Sequence, residues 1–463
     1  MRIESHDLQR NRGGHLQLRF NCNQMQKSRS SERLSCIWIT WRVEPFKLEP
    51  ALLIVMTHRF VRLRRFHFNL PQRIAAGLLA LFLLQGLWIT SRQTLTDRDY
   101  QYARCGRETW ERPSLLTGYY TTCGNIHDGI LAYRLAGLPL TLNMLAERGL
   151  DVFRKPEDRV FQRTSGTLRG ADVSTWELRH QMTHILLLLR LPFLLAGCAL
   201  GGCLWWVTRR LYGNLGGYTA LALYCFSPAV LKACVSPNTE VLAGLGVFGG
   251  VYTCIGVAHA MLGPRRKWRP RIVLLTVIFG VAAASHIAAL PVAALLGLAL
   301  MLWVAEGHRS QALPVVLAAS AGALLLVFAC YGFSPDAYSY VFRSAAGFLW
   351  FSLDPARRFF STMGNAGITV AAGAALLLYL GLRKSWYFGN AAPLLCAVVL
   401  FLLVMTGSPG SPWIWAIPFL LTFVGGVFAD AYEGPRGRLA MGAAAAVVVL
   451  QAVLCVLSLP GMV

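Results

Sequence analysis

Apolar runs of about 20 residues, long enough to cross a bilayer as helices, recur through the C-terminal two thirds of this chain. No other feature restricts the fold so severely. Within hydrocarbon each backbone N–H and C=O must find its partner in a helix or a closed barrel, so repeated continuous apolar runs mean a bundle of spanning helices. The segments fall near 70–90, 183–208, 213–231, 240–262, 272–285, 287–304, 313–332, 365–382, 389–406, 413–430 and 439–459. That makes about eleven spans, although the fifth and sixth also read as one long helix broken around Ser285-His286. Composition agrees: 463 residues are 55% hydrophobic and only 14% charged, outside the range of an ordinary soluble domain. The expected class is all-α, a polytopic transmembrane helix bundle with a large extracytoplasmic loop after the first span.

Charge sets the expected orientation. The net charge is +22, but the Lys and Arg lie in short loops between apolar runs. With the basic leader (Arg59, Arg62, Arg64, Arg65, Arg73) placed in the cytoplasm, five short inner loops carry twelve Lys and Arg. These are Arg209, Arg210, Arg265, Arg266, Lys267, Arg269, Arg271, Arg309, Arg383, Lys384, Arg436 and Arg438. The outer loops beyond the large one carry four, Lys232, Arg343, Arg357 and Arg358. Cytoplasmic loops of membrane proteins show this excess. A multi-pass chain with a cytoplasmic N-terminus and an extracytoplasmic loop at 91–182 follows. No basic, aromatic-interleaved surface stands apart from the loops, so nucleic acid is not an expected partner.

Residues 1–55 do not resemble the rest. They are polar and irregular, without a signal peptide's order of charge, apolar core and cleavage site. A more natural leader, MTHRFVRLRRFHFNLPQR, starts at Met56. The organisation read from this is a disordered or spurious extension over 1–55 and an integral membrane domain over 56–463.

The stretch from Ser91 to Thr183 holds eleven of the twenty-two Asp and Glu in one fifth of the length. Within it, residues 129–146 are apolar with helical spacing, but Arg134 and Pro139 interrupt them and the run is short for a span. An interfacial helix on the outer leaflet is expected there. Of twelve Cys, most, such as Cys198, Cys203, Cys254 and Cys396, fall in apolar segments and read as small core residues. Cys105 and Cys123 fall in the polar loop, where an oxidising compartment would allow a disulfide.

Four groups could carry chemistry. In TLTDRDYQY, Asp97 and Asp99 follow the first span; carboxylates at the mouth of a helix bundle suit a general base, and equally a solvated rim. In CGNIHDGIL, Asn125, His127 and Asp128 precede the interfacial helix, as substrate ligands or as caps. In KACVSPNTEVL, Glu240 opens the fourth span after Asn238 and Thr239, as a second functional carboxylate or as a complement to the helix dipole. The cations are Arg190, Lys232 and His286. Arg190 lies about two turns inside the second span, a depth that demands a partner, either a lipid phosphate or a buried carboxylate. The expected topology puts all four groups at one outer face. No phosphate-binding glycine loop, HExxH or GxSxG occurs, so ATP-driven pumping and soluble-type hydrolysis find no support.

Taken in order, these motifs resemble the polytopic glycosyltransferases of superfamily C (GT-C), especially the lipid-linked-sugar-dependent, mannosyltransferase-like branch common in bacteria. That family has an acidic pair after its first span, where this chain has TDRDYQYARCGRETWE with Trp110-Glu111 downstream. An Asn…His stretch leads into an amphipathic helix, matched by Asn125 and His127 in NIHDGILAYRLAGLPL. The second span reads Arg-Leu-Pro and then small residues, as in LRLPFLLAGCALGGCLWWVTRRLYGN, continuing to the Ser227-Pro228 turn. Thr239-Glu240 stands where the family has Thr-Thr-Asp, and His286 where it has a polar or basic residue. The likeness covers roughly residues 70–305. Departures are Asp97-Arg98-Asp99 for Asp-Glu, His127-Asp128-Gly129 for His-Pro-Pro, and Glu for the second Asp.

The resemblance implies an inverting transferase in the bacterial cytoplasmic membrane. A polyprenyl-phosphate sugar would be the donor, and an envelope glycan, lipid or protein the acceptor. Asp97 or Asp99 would be the catalytic base, while Glu240, His127, Asn125, Arg190, Lys232 and His286 would bind substrate. No cofactor is indicated with certainty; the clustered acids could hold a divalent metal, but no ligand spacing demands one. The alternatives are a transporter or flippase of lipid-linked saccharides, which should show paired repeats, and a non-catalytic protein of the same fold.

Overall fold

In the computed structural model, the residues described are 69–111, 126, 129–151, 179–263, 268–305, 307–344, 349–405, 413–435 and 437–462. All belong to one unit, His67–Val463. Residues 1–68, and so the 1–55 extension and most of the leader, lie outside the described residues, as do Cys123, Asn125, His127, Asp128 and the 407–412 turn.

The chain is a polytopic helix bundle. Its helices are α1 (Leu70–Arg92), α2 (Asp97–Glu111), α3 (Ile130–Asp151), α4 (Arg179–Cys225), α5 (Pro228–Cys234) and α6 (Glu240–Met261). There follow α7 (Arg269–Ser285), α8 (Ala289–Val304), α9 (Arg309–Cys330), α10 (Pro335–Ser344), α11 (Asp354–Ser361), α12 (Ala366–Gly381), α13 (Phe388–Leu402), α14 (Trp413–Tyr432) and α15 (Gly437–Ser458). Among the described residues, seven helical segments are long and apolar enough to cross a membrane. The apolar stretches Ala289–Val304, Phe388–Leu402 and Ile130–Ala146 are shorter. Every expected span overlaps a helix, although the third, expected over 213–231, is broken where α4 ends at Cys225 and α5 begins at Pro228, because Ser227 caps a new helix with Pro228 in its first turn. The second and third run together in α4 and are divided by a kink at Gly213, where φ is +79°, a backbone angle that favours glycine. The fifth and sixth are separate helices, since His286 is extended (φ −157°, ψ 116°).

One departure from all-α is local. The ninth span was expected to reach 406, but α13 ends at Leu402 and Leu403–Met405 form β2. This strand pairs antiparallel with β1 (Leu349–Phe351), Trp350 opposite Val404. Trp, Phe and Val favour extended backbone, and the ladder satisfies peptide groups that the helix end leaves open.

Helix α14 is the hub: 89% of its most apolar window is buried, against 17% for α15 and 22% for α9. It packs mainly on α4 and α13. A Cβ added to Gly425 of α14 would lie 2.6 Å from the Gly216 carbonyl of α4, so the two backbones touch, as small residues allow in membrane bundles. Outside, Leu84, Leu325, Leu377 and Leu457 are exposed. Such a surface suits lipid, not water. Gln451 of α15, fully buried, donates to the carbonyls of Phe226 (2.8 Å) and Gly364 (2.9 Å) and accepts from the Ile368 N–H (3.0 Å).

Helices α2 and α3 form a pair beside α4 and α7. Gly106 and Gly137 face each other so closely that a Cβ on either would enter the other's backbone. Pro139 does not break α3, which runs continuously to Asp151. It buries a stripe at Ala132, Ala136, Leu140 and Met144 and exposes Leu142 and Leu145. One side therefore packs on protein, while apolar residues remain outward, the pattern expected of an interfacial helix.

Candidate functional site

The acidic pair is split by its environment. Asp97, the first residue of α2, is exposed, whereas Asp99 is 1% exposed. Thr96 and Asp99 make a reciprocal cap: the Thr96 N–H (3.0 Å) and hydroxyl (2.8 Å) donate to Asp99 Oδ2, and the Asp99 N–H donates to Thr96 Oγ1 (3.2 Å). This is the capping-box pattern, with a carboxylate at the positive end of the helix.

Arg190, also 1% exposed, completes the arrangement. Its Nε donates to Asp99 Oδ1 (3.2 Å) and its Nη2 to Oδ2 (2.5 Å), a forked pair. Nη1 donates to Gln93 Oε1 (2.6 Å) and Nη2 also to the Thr94 carbonyl (3.4 Å). Four of the five guanidinium donors are thus engaged. Of the two partners the sequence allows for a buried Arg, the carboxylate is the one found. Gln93 Nε2 in turn donates to the Met462 carbonyl (2.6 Å), so one amide ties the end of α1 to α4 and to the Leu459–Met462 turn.

Above this pair, Tyr102 stacks on Tyr133 of α3 with ring centroids 4.2 Å apart, and meets Phe193 of α4 edge-on at 6.4 Å. Burial raises the Tyr133 pKa from 10.0, while the nearby Arg98 charge pulls it down. Further along α2, Arg107 pairs with Glu111 at 2.9 Å, and Thr141 donates to the same carboxylate at 3.3 Å. The Trp110 indole donates to the Arg134 carbonyl (2.8 Å), and the Arg134 guanidinium lies over the Trp110 ring, 5.0 Å from its centre. Arg134 Nε reaches the Cys330 carbonyl at the end of α9 (2.7 Å). Cys105 is disulfide-bonded.

The start of α3 is where the other candidates meet. Gly129, at φ +79°, abuts Thr239 and lies near the Ser285 carbonyl: a Cβ there would stand 3.3 Å from that oxygen and inside contact distance of the Thr239 methyl. Thr239 immediately precedes Glu240, and Ser285 immediately precedes His286. The Tyr331 hydroxyl donates to the Ile126 carbonyl at 3.2 Å, tying Ile126 to the end of α9. Gly129 and Tyr133 are separated by about 6 Å of helix rise, one turn. Asp99's neighbourhood and that of Glu240 and His286 are therefore joined through the first turn of α3.

Glu240 is half-buried. Asn238, and not Thr239, caps α6: its Oδ1 accepts from the N–H groups of Glu240 (3.0 Å) and Val241 (3.4 Å). His286 meets Trp415 of α14 edge-on, centroids 5.7 Å apart. Lys232 is exposed in the last turn of α5. Among the described residues, no group of three or more His, Cys, Asp or Glu is arranged to hold a metal ion.

No protein-family model matches the chain, and no curated protein does. The solved structures similar to it include two of ArnT. ArnT from Cupriavidus metallidurans in the apo state matches with a TM-score of 0.45 and 13% identity over 80% of this chain and 61% of that one. ArnT from the same organism bound to undecaprenyl phosphate matches with a TM-score of 0.47 and 12% identity over 84% and 70%. The chain thus spans about three fifths of the first.

Several residues here carry no individual mark in the sequence reading. Thr96 was findable, since Thr-x-x-Asp at a helix start is a capping signal. Gly129 stands where the His-Asp-Gly departure falls. Gln93 and Trp415 carry no local signal, because their significance lies in long-range partners.

Proposed function

We propose that this chain is an inverting glycosyltransferase that takes a sugar from a polyprenyl-phosphate carrier at the outer face of a bacterial cytoplasmic membrane. The observation that carries the reading is the meeting at α3: Gly129 abuts Thr239 beside Glu240 and Ser285 beside His286, one turn from the Tyr102–Tyr133 stack on the acidic helix. Motifs that lie far apart in sequence, and that together resemble superfamily C, share one neighbourhood.

The two acids divide the work. Asp99 is committed to Arg190 and Thr96 and acts as a positioning residue. Asp97, exposed at the first position of α2, is the base. It takes the proton from an acceptor hydroxyl as that oxygen bonds to the anomeric carbon. The bond from that carbon to the phosphate oxygen breaks on the opposite face, and the phosphate leaves with the lipid carrying the electron pair. Such a step needs a placed base and stabilisation of the leaving charge. Lys232 and His286 are the cations for the phosphate; Arg190 holds Asp99. His127, Asn125 and Glu240 would bind substrate. Envelope glycan, lipid or protein remains the acceptor class.

The test replaces Asp97→Asn, Asp99→Asn and Glu240→Gln singly and compares glycan and lipid-linked sugar profiles with wild type and a deletion strain. Asp97→Asn and Glu240→Gln should abolish the product that the deletion removes. Unchanged product in both would refute the transferase, and sugar stranded on the inner leaflet in the deletion strain would favour a flippase.

A further inference from the structure

Just before its kink at Gly213, α4 carries the sequence Trp205-Trp206-Val207-Thr208-Arg209-Arg210. Each arginine lies one turn beyond a tryptophan and stacks on it. The Arg209 guanidinium is 5.1 Å from the Trp205 ring centre, and that of Arg210 is 5.3 Å from the Trp206 ring centre. Two neighbouring cation–π stacks follow from the i, i+4 spacing. Their depth is set by Arg190 on the same helix. Twenty positions separate Arg190 from Arg210, about 30 Å of helix rise, and a bilayer's hydrocarbon core is about that thick. The stacks therefore stand at the membrane interface opposite Asp99, the inner one in the orientation expected from the charge bias. Tryptophan concentrates at such interfaces.

These two cations lack a counter-charge. Among the described residues, neither guanidinium pairs with a carboxylate. Arg209 Nε donates to Asn214 Oδ1 at 2.9 Å, a neutral partner that steadies the side chain, and Arg210 is exposed. Other cations expected on this side are engaged: Lys384 pairs with Glu433 at 2.8 Å, and Arg271 Nη1 donates to the Gly256 carbonyl. A guanidinium stacked by its face keeps its edge donors, which suit a phosphate held by two parallel N–H···O bonds. Toward the bilayer centre, the face of α4 that carries Arg210 continues through Trp206, 56% exposed, exposed Cys203 and Leu195, 50% exposed. A ligand that covers this surface carries negative charge at its head and an apolar chain below it; a soluble anion would leave the strip bare. We propose that the two stacks bind the phosphate of an anionic phospholipid in that leaflet, with an acyl chain along the exposed strip of α4. The inference stands apart from the transferase reading and uses none of its residues.

The test titrates phosphatidylglycerol into purified protein in detergent micelles that contain phosphatidylcholine, following the unfolding midpoint. A lipid that binds the folded protein raises that midpoint. Wild type should respond to phosphatidylglycerol and not to further phosphatidylcholine. One basic residue at an anionic lipid surface is worth about 5-fold in affinity. Arg210→Gln should therefore need about 5-fold more phosphatidylglycerol for the same rise, and the double variant Arg209→Gln/Arg210→Gln about 25-fold more. Trp206→Leu keeps both charges, removes one platform and should shift the titration in the same direction. Arg309→Gln is the control for net charge: Arg309 is exposed at the start of α9 and stacks on no ring among the described residues, so this variant should titrate like wild type. If the double variant fails to accumulate, Arg210→Gln decides, since it alters an exposed side chain. Equal shifts in Arg309→Gln and Arg210→Gln would reduce the effect to general charge attraction and overturn the site. A wild-type titration in Arg210→Gln would also overturn it. A response to a polyprenyl phosphate with none to phosphatidylglycerol would overturn the phospholipid assignment.

Discussion

Breaking the Asp99–Arg190 pair from either side should destabilise the protein, and breaking it from both sides should cost less than the two losses added. The side chains are 1% and 2% exposed, so solvent screens neither. Asp99→Asn removes the forked charged contacts at 2.5 and 3.2 Å and leaves a buried guanidinium held only by Gln93 and the Thr94 carbonyl. Arg190→Met leaves a buried carboxylate held by Thr96 alone and strips Gln93 and Thr94 of their donor. Removing one member of a buried pair costs about 3–5 kcal/mol, because the survivor is an uncompensated charge. Simple addition would put the double variant at about 6–10 kcal/mol, twice that single cost. The double variant buries no lone charge, so its cost should fall back to about that of one single, a coupling of about 3 kcal/mol. The assay is the unfolding midpoint of purified protein in one detergent at one scan rate, supported by the amount of folded protein in the membrane. Both singles should lower the midpoint, and the double should match or exceed the worse single. Strict additivity, or an unchanged midpoint in Asp99→Asn, would refute the claim that these two charges depend on each other.

Two further outcomes are expected. Gln451→Leu orphans the Phe226 and Gly364 carbonyls and the Ile368 N–H; at about 1–3 kcal/mol for each buried polar group left unpaired, it should rank among the most destabilising single changes in α15, measured by the same midpoint. Because burial raises the Tyr133 pKa above 10.0, the unfolded chain loses this proton first, so stability should fall as pH rises past about 10. Tyr133→Phe should flatten that alkaline decline in a pH series of midpoints, and an identical decline would contradict it.

The helices were legible because hydrocarbon permits so few alternatives. Length and hydropathy separated the second span from the third, where α4 is kinked at Gly213, and marked the break at His286; the Ser227-Pro228 turn came from the motif resemblance, since hydropathy ran the third span through it. The β1–β2 ladder was not legible. Leu403–Met405 extends an apolar run without a break, and its departure from helix depends on a partner strand more than fifty residues earlier. The helix expected over 129–146 is present, and α3 runs through Pro139 to Asp151. The close approach of Gly106 to Gly137 and the packing of α3 on α4 and α7 hold its axis, and tertiary contact outweighs the local penalty of one proline.

For the site, the sequence stated a need without naming what meets it. An Arg two turns inside a span requires a counter-charge, and eleven loop carboxylates were available. Only folding brings Asp99 to Arg190 across 91 positions, and that choice separates two acids that look equivalent as Asp-x-Asp. Once Asp99 is bound on both oxygens, it is no longer the exposed acid at the mouth of the bundle, and Asp97 is. Motif order can point to a neighbourhood, but the division of roles within it depends on which polar atoms are already satisfied.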